Sequence, residues 1–310
     1  MKILQICADR GIPLDGTKGA SVHLRSMASA FRSQGHHVRL FVADVGEDRN
    51  ATDEFPAQIL EPGSLAEDAR RWGPPDLVYE RYALGHLQGL DAARALGAPF
   101  VLEVNAPLVL EASRHRPGTV RAGDDELERR LFRSADVVAA VSEPLRKYVA
   151  DARGTDQGTL VVRNGCDPDV FPTPAPLCPD GPQRLVFLGH PKPWHGADEL
   201  PQLVMDLRRR GWDVDLLVIG GGPGADAVAR KARTLGGENH VEITGPLSPE
   251  SAATRLLEGA VAVAPFPPEP FFYFCPLKVI ECMAAGLPVV TTAQGDLPEV
   301  VDDDPGVGNH

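Results

Sequence analysis

Strand-sized apolar runs alternate with helical stripes along the whole chain. Residues 2–7 form the first such run. After a loop rich in Gly, Pro and Asp, Val22, Leu24, Met27, Ala28 and Phe31 mark one face of a helix over residues 20–33. Gly35 stops that helix and residues 38–43 read as the next strand, a βαβ unit with the spacing a parallel sheet needs. The alternation continues with strands at 77–79, 100–104 and 137–141 and helices at 87–96 and 126–134. A second series has strands at 184–189, 213–220, 241–244, 261–265 and 288–291, separated by helices at 199–210, 225–235, 248–258 and 277–285. Strict βα alternation predicts doubly wound α/β domains.

Between the two series lies Phe171-Pro-Thr-Pro-Ala-Pro-Leu-Cys-Pro-Asp-Gly-Pro182, too rich in proline for a helix or a central strand. The expected organisation is an N-terminal Rossmann-like domain over 1–171, a linker over 172–183 and a C-terminal Rossmann-like domain over 184–310. The 310 residues suit two domains at about 150 each. Hydrophobic residues at 43% and charged residues at 24% are ordinary globular usage, which argues against wholesale disorder. A net charge of −12 argues against broad nucleic-acid or anionic-membrane binding, so any phosphate site must be local. Five cysteines without CxxC spacing argue against a zinc site or a disulfide framework, and reduced thiols in a cytoplasm are the expectation. Apolar runs of strand length and a first residue close to a strand predict neither a membrane span nor a signal sequence.

Two glycine-rich loops need weighing. Gly11-Ile-Pro-Leu-Asp-Gly16-Thr-Lys18 nearly spells a P-loop, but Thr17 precedes Lys18, and that order is wrong for lysine and hydroxyl to reach phosphate and metal. What remains is a loop ending at a helix N-terminus, where Gly19 either contacts phosphate or simply turns. Gly220-Gly-Gly222-Pro-Gly224-Ala225 fits a dinucleotide fingerprint on paper, yet it follows the second strand of its half, and Pro223 equally suits a first helical turn. The Asp-x-Asp pairs Asp213/Asp215, Asp167/Asp169 and Asp302/Asp304 lie in contexts poor for metal ligation, so no metal site is expected.

The most informative segment is Tyr273-Phe-Cys-Pro-Leu-Lys278-Val-Ile-Glu281-Cys-Met-Ala-Ala-Gly286. Pro276 suits a first turn, Leu277, Ile280 and Met283 form an apolar stripe, and Gly286 ends the helix. Lys278 and Glu281 then sit on the early turns. They read either as a surface salt pair or as a cation and a carboxylate for a diphosphate and ribose hydroxyls.

This segment resembles the nucleotide-sugar signature of the family-4 retaining glycosyltransferases, enzymes of two Rossmann-like domains facing across a cleft (GT-B). Other marks agree in order: Asp76-Leu-Val-Tyr-Glu-Arg-Tyr82, Glu103-Val-Asn105-Ala-Pro-Leu108, Ala135-Asp-Val-Val, Val162-Arg-Asn-Gly-Cys-Asp167, Gly189-His-Pro-Lys192-Pro-Trp-His195-Gly196 and Thr244-Gly245-Pro-Leu247. The resemblance implies a nucleotide diphosphate sugar as donor substrate, an acceptor hydroxyl, retention of anomeric configuration, and neither metal nor cofactor. It implies that Glu281 binds the donor ribose and that Gly19 lies beside the diphosphate. Lys192, His195, Gly222 and Gly245, with Pro276, Leu277 and Lys278, complete the expected donor-binding set. Catalytic candidates are Glu103, Asn105 and Lys278.

Three departures from the family pattern stand out. Tyr273 occupies the position of a sugar-contacting Glu, His190 and His195 those of an Arg and a Lys, and Asn105 that of a His. Lys192 or Lys278 is therefore expected to supply the missing positive charge. Asp302–His310 follows directly on the donor signature, so the resemblance implies a shortened C-terminus without the helix that crosses back to the first domain. Alternatives are a non-catalytic nucleotide-sugar-binding subunit and a GT-B epimerase or hydrolase, and a homo-oligomer is compatible with the sequence. His23 reads first as a surface helix residue, with a cleft-facing role as the alternative. Glu80 and Arg81, at the carboxyl side of a strand, are expected acceptor contacts.

Overall fold

The computed structural model describes residues 1–16, 18–47, 55, 57–61, 63–115, 118–171 and 181–301. Thr17, the proline-rich segment 172–180 and Asp302–His310 lie outside them. Contacts divide the chain into two units, Met1–Arg163 and Asn164–His310. Asn164 falls in the second because its backbone N–H donates to Cys275 Sγ at 3.3 Å and its Nδ2 donates to the Cys275 carbonyl at 2.7 Å. Phe171 likewise packs on the second unit's core.

The first unit carries a seven-stranded parallel sheet of order β3-β2-β1-β4-β5-β6-β7. Its strands are β1 (Lys2–Cys7), β2 (His37–Val42), β3 (Ala57–Ile59), β4 (Leu77–Arg81), β5 (Phe100–Val104), β6 (Val137–Ala140) and β7 (Thr159–Val161). Helices α1 (Gly19–Ser33), α2 (Leu65–Trp72), α3 (Gln88–Leu96), α4 (Leu108–His115), α5 (Asp124–Ser134) and α6 (Glu143–Arg153) connect them. Strand β1 is an apolar run because it is central and covered on both faces, with Ile3, Leu4, Ile6 and Cys7 fully buried. Alternation along β4 sends Tyr79 toward α1, where its ring meets Phe31 at 5.2 Å, and Glu80 to the opposite face, against Gly89 of α3. Register then aligns Cys7, Arg81 and Glu103 in one row across β1, β4 and β5.

The second unit repeats the wiring with a five-stranded parallel sheet, β10-β9-β8-β11-β12. Its strands are β8 (Gln183–Leu188), β9 (Val214–Ile219), β10 (Val241–Ile243), β11 (Val261–Ala264) and β12 (Val289–Thr291). Helices α7 (Leu200–Arg209), α8 (Pro223–Thr234), α9 (Pro249–Leu256), α10 (Leu277–Ala284) and α11 (Leu297–Val301) complete it. One face buries Phe187, Val204, Leu216 and Val228, the other Val186, Leu217, Leu256 and Cys282. Strand order reverses beside β1 in the first sheet and beside β8 in the second. These switch points are where open parallel sheets leave a crevice beyond the strands' carboxyl ends. The edge strands β3, β7, β10 and β12 are three residues each among the described residues.

Every strand and helix expected from periodicity is present, with ends moved by a few residues. Absent from the expectation were β3, β7, α2, α4, α6 and α11. The helix α10 begins at Leu277, as expected, and Pro276 stands just before its first turn as an extended cap (φ −76°, ψ 114°).

Candidate functional site

In the first unit, the row at the carboxyl ends of β1, β4 and β5 converges on one carboxylate. Glu103 is 5% exposed, and its Oε1 accepts from His23 Nε2, from Asn105 Nδ2 at 2.6 Å and from Arg81 Nη1 at 3.5 Å. The Tyr79 hydroxyl also turns to this carboxylate, and its own ionisation is pushed far up by burial and by the Glu103 charge. Burial alone would raise the Glu103 pKa, but donation from His23 and the Arg81 charge outweigh it and hold the carboxyl at about 2.

Two expectations change here. His23 is not a surface helix residue: its side chain is 12% exposed and tied to Glu103. Arg81 does lie on this row, whereas Glu80 does not, being 1% exposed on the sheet's other face. A Cβ at Gly89 would sit 2.4 Å from Glu80 Oε2, so only glycine leaves room for that carboxyl. Neither Glu80 oxygen has a hydrogen bond of good geometry, and burial pushes its pKa up to about 8. Glycine is also required at Gly16 in the loop before α1, where a Cβ would meet Ser21 Oγ at 2.4 Å. Arg25 Nη1 holds this loop by its carbonyls, donating to Gly16 at 2.9 Å and to Leu14. Gly19, exposed, is the first residue of α1, so its N–H belongs to the helix's open N-terminus.

In the second unit the switch point gathers Lys192, His195 and Lys278. Glycine at 189 and 220 lets the loops after β8 and β9 touch. Gly220 has φ +152°, and a Cβ there would lie 2.2 Å from the Gly189 carbonyl oxygen. Lys278, on the first turn of α10, runs past Gly189 and ends with Nζ 3.1 Å from His195 Nδ1. Its ammonium lies 4.3 Å from the Phe187 ring centroid and 5.7 Å from that of Phe266, a cation–π seat. Among the described residues no carboxylate forms an ion pair with it. Burial therefore pulls the Lys278 pKa down to about 7.

His195 Nδ1 also accepts the Lys192 backbone N–H at 3.2 Å. With two donors on one nitrogen, in a buried setting beside a cation, the imidazole stays neutral, its pKa lowered to about 3. Glu281, one turn beyond Lys278, has its pKa raised by burial, and Lys278 offsets part of this. Pro276 and Leu277 open α10 beside them. Gly222 lies by His190, where a Cβ would approach Cδ2 at 3.6 Å, and Gly245 (φ +76°) leads away from β10 with open space about it. Lys192 is exposed, and only its backbone joins the cluster. Tyr273 is buried, its ring 4.3 Å from that of Phe274. Tyr273 thus packs as an aromatic in the loop that leads into α10. Among the described residues no cluster of His, Cys, Asp and Glu could hold a metal ion, and no helix is long and apolar enough to cross a membrane.

Comparison with known proteins bears directly on this arrangement. Residues 17–170 match the model described as Glycosyltransferase Family 4, and residues 182–308 match that of Glycosyl transferases group 1. The chain belongs to the family-4 glycosyltransferases. This glycosyltransferase chain is 30% identical over 199 residues to the GDP-mannose-dependent alpha-(1-6)-phosphatidylinositol monomannoside mannosyltransferase of Mycolicibacterium smegmatis, covering 56% of the chain and 49% of that protein. It is 26% identical to the D-inositol 3-phosphate glycosyltransferase of an Arthrobacter species, covering 92% of the chain and 76% of that protein. The chain spans about half the length of the first curated relatives it matches. Among solved structures, HepE of Anabaena in complex with UDP and glucose superposes with a TM-score of 0.70 at 18% identity, over 97% of this chain and 83% of that one. A glycosyltransferase from Rickettsia africae gives 0.71 at 17%, over 97% and 81%. The fold is that of the GT-B class.

Proposed function

We propose that this family-4 glycosyltransferase moves a sugar from a nucleotide diphosphate sugar to an acceptor hydroxyl with retention of anomeric configuration. The observation that carries the reading is Lys278. It is an ammonium at a helix N-terminus and a sheet switch point, seated on aromatic rings and an imidazole with no ion-paired carboxylate among the described residues. A buried cation left in this state favours an anionic ligand.

Departure of a nucleoside diphosphate from an oxocarbenium-like centre concentrates negative charge on the leaving oxygens. Lys278 and the free N–H groups opening α10 stabilise that charge. Glu281 accepts the ribose hydroxyls. His195, neutral, orients Lys278 through Nδ1, while Lys192, Gly222 and Gly245 line the donor from neighbouring loops. Retention follows if the acceptor oxygen attacks on the face the diphosphate leaves, with the leaving phosphate taking the acceptor proton. That route needs neither a metal nor a strong protein base. The donor assignment is supported by HepE, whose structure is described with UDP-glucose. The names of the curated relatives make inositol phosphates and phosphatidylinositol mannosides the first acceptors to try.

The test is incubation with UDP-, GDP- and dTDP-sugars, with and without these acceptors, reading nucleotide release and the product's anomeric configuration by NMR. Transfer with retention is the expected result, and inversion refutes the stereochemical part. Tyr273 in the place of the family's carboxylate favours a second reading, a donor-binding subunit without catalysis; binding without release under every acceptor would establish it. Release without any acceptor would indicate a hydrolase or epimerase.

A further inference from the structure

The first-unit cluster distributes its hydrogen-bonding capacity unevenly. Glu103 has its Oε1 taken by three donors and the Tyr79 hydroxyl turned toward the same carboxylate. Such a group is spent as a base or nucleophile. Asn105 donates its Nδ2 to Glu103, and Arg81 has only donors to offer. His23 differs. A carboxylate has acceptors only, so the ring nitrogen facing it, Nε2, must carry the hydrogen, and in the neutral ring Nδ1 then has the lone pair. Nδ1 makes no hydrogen bond among the described residues, while the ring keeps 12% of its surface exposed. The ring belongs to α1, just after the Gly16 loop, and meets Glu103 at the carboxyl end of β5. It thus stands beside the switch point where a Rossmann-like sheet receives its ligand.

We propose that the neutral ring of His23 accepts, at Nδ1, a hydrogen bond from a non-reacting hydroxyl of the acceptor, and that Glu103 is the positioning residue that fixes its tautomer. This rests on the transferase reading and extends it to the acceptor side. The attacking hydroxyl has one hydrogen and in a same-face reaction gives it to the leaving phosphate, so His23 holds a different hydroxyl of the acceptor, and the ring is unchanged over the cycle. Arg81 and Asn105 share the load of holding Glu103 ionised, so the ring is gripped at one nitrogen and offered at the other.

Two substitutions separate this role from a structural one, because glutamine mimics the Nε2 end of histidine and asparagine the Nδ1 end. His23→Gln keeps a donor for Glu103 and removes the acceptor atom. It is expected to raise the acceptor KM about tenfold or more, the loss of a hydrogen bond in a buried site, with donor KM and melting temperature unchanged. His23→Asn keeps an acceptor near the Nδ1 position and is expected to recover part of the acceptor KM. The acceptor used is whichever compound turns over in the panel above. A His23→Gln enzyme with the wild-type acceptor KM overturns the proposal. In a second measurement, 15N NMR of the ring in the wild-type protein should give the Nε2–H tautomer. A spectrum with Nδ1 protonated at neutral pH overturns the proposal whether or not transfer is seen, which separates this failure from that of the transferase reading.

Discussion

Replacing Glu80 with glutamine tests how the first unit tolerates a carboxyl buried without a good hydrogen bond. In the folded chain its pKa is about 8, against an ordinary 4.5 in the unfolded one, with burial the main cause. Between those values the folded state holds a proton that the unfolded state releases. Stability therefore falls as pH rises from 4.5 and levels off above 8. At about 1.4 kcal/mol per pH unit, the wild type loses about 2.5 kcal/mol between pH 5 and pH 7 on account of this group alone. Glutamine has nearly the same shape and no proton to lose, so Glu80→Gln escapes that slope. All other titrations cancel in the difference between the two proteins.

The assay is urea denaturation of both at pH 5, 6, 7 and 8. Trp72, the first unit's tryptophan, is followed in a background where Trp194 and Trp212 are phenylalanine. The two curves should be close at pH 5 and separate progressively, by about 1 M in midpoint at pH 7 for a typical urea dependence. A gap that does not change with pH would mean that Glu80 ionises normally in the folded state, and the account of its burial would fail.

The donor site supplies further expectations. Lys278 binds an anion best while charged, so with its pKa near 7 the donor KM should rise by about tenfold per pH unit above 7. Lys278→Arg, which stays charged, should flatten that profile, and an unaltered slope in the arginine enzyme would remove Lys278 from the diphosphate. Glu281→Ala should weaken donor binding by about tenfold to a hundredfold, the worth of a charged hydrogen bond, and unchanged affinity by calorimetry would displace the ribose site. Gly220→Ala forces a Cβ to within 2.2 Å of the Gly189 oxygen at φ +152°. It should cost about 2 kcal/mol or more in the second unit, read from the unfolding midpoint on Trp194 and Trp212.

The expectations that held and those that failed divide by physical origin. Both sheets were legible because fully buried parallel strands are uninterrupted apolar runs and their helices carry regular stripes, as β1 with α1 and β8 with α7 illustrate. Short edge strands such as β7, and helices such as α6 whose apolar stripe is only Leu145 and Val149, give too little periodicity to stand out. At the site, Lys278 and Glu281 were visible because one helix carries both. His23 with Glu103, and Lys278 with Phe187, are pairings across 80 and 91 positions of sequence. Only strand order and register bring them together, and composition is silent about both. A lone histidine on a helix, such as His23, has no partner in the linear sequence and therefore reads as a surface residue. Its partner is on β5.

The brevity of the four edge strands bears on how the protein behaves at high concentration. Ile59 on β3, Leu160 on β7 and Val290 on β12 are 44%, 53% and 61% exposed, apolar side chains where another chain could add a strand. Three residues offer an incoming strand too few ladder bonds to hold it, and a net charge of −12 repels a second copy before it arrives. Lengthening one of these edges, or neutralising the acidic surface, would turn the same residues into seeds for aggregation. Short edges and like charge together disfavour edge-to-edge pairing between copies of the chain.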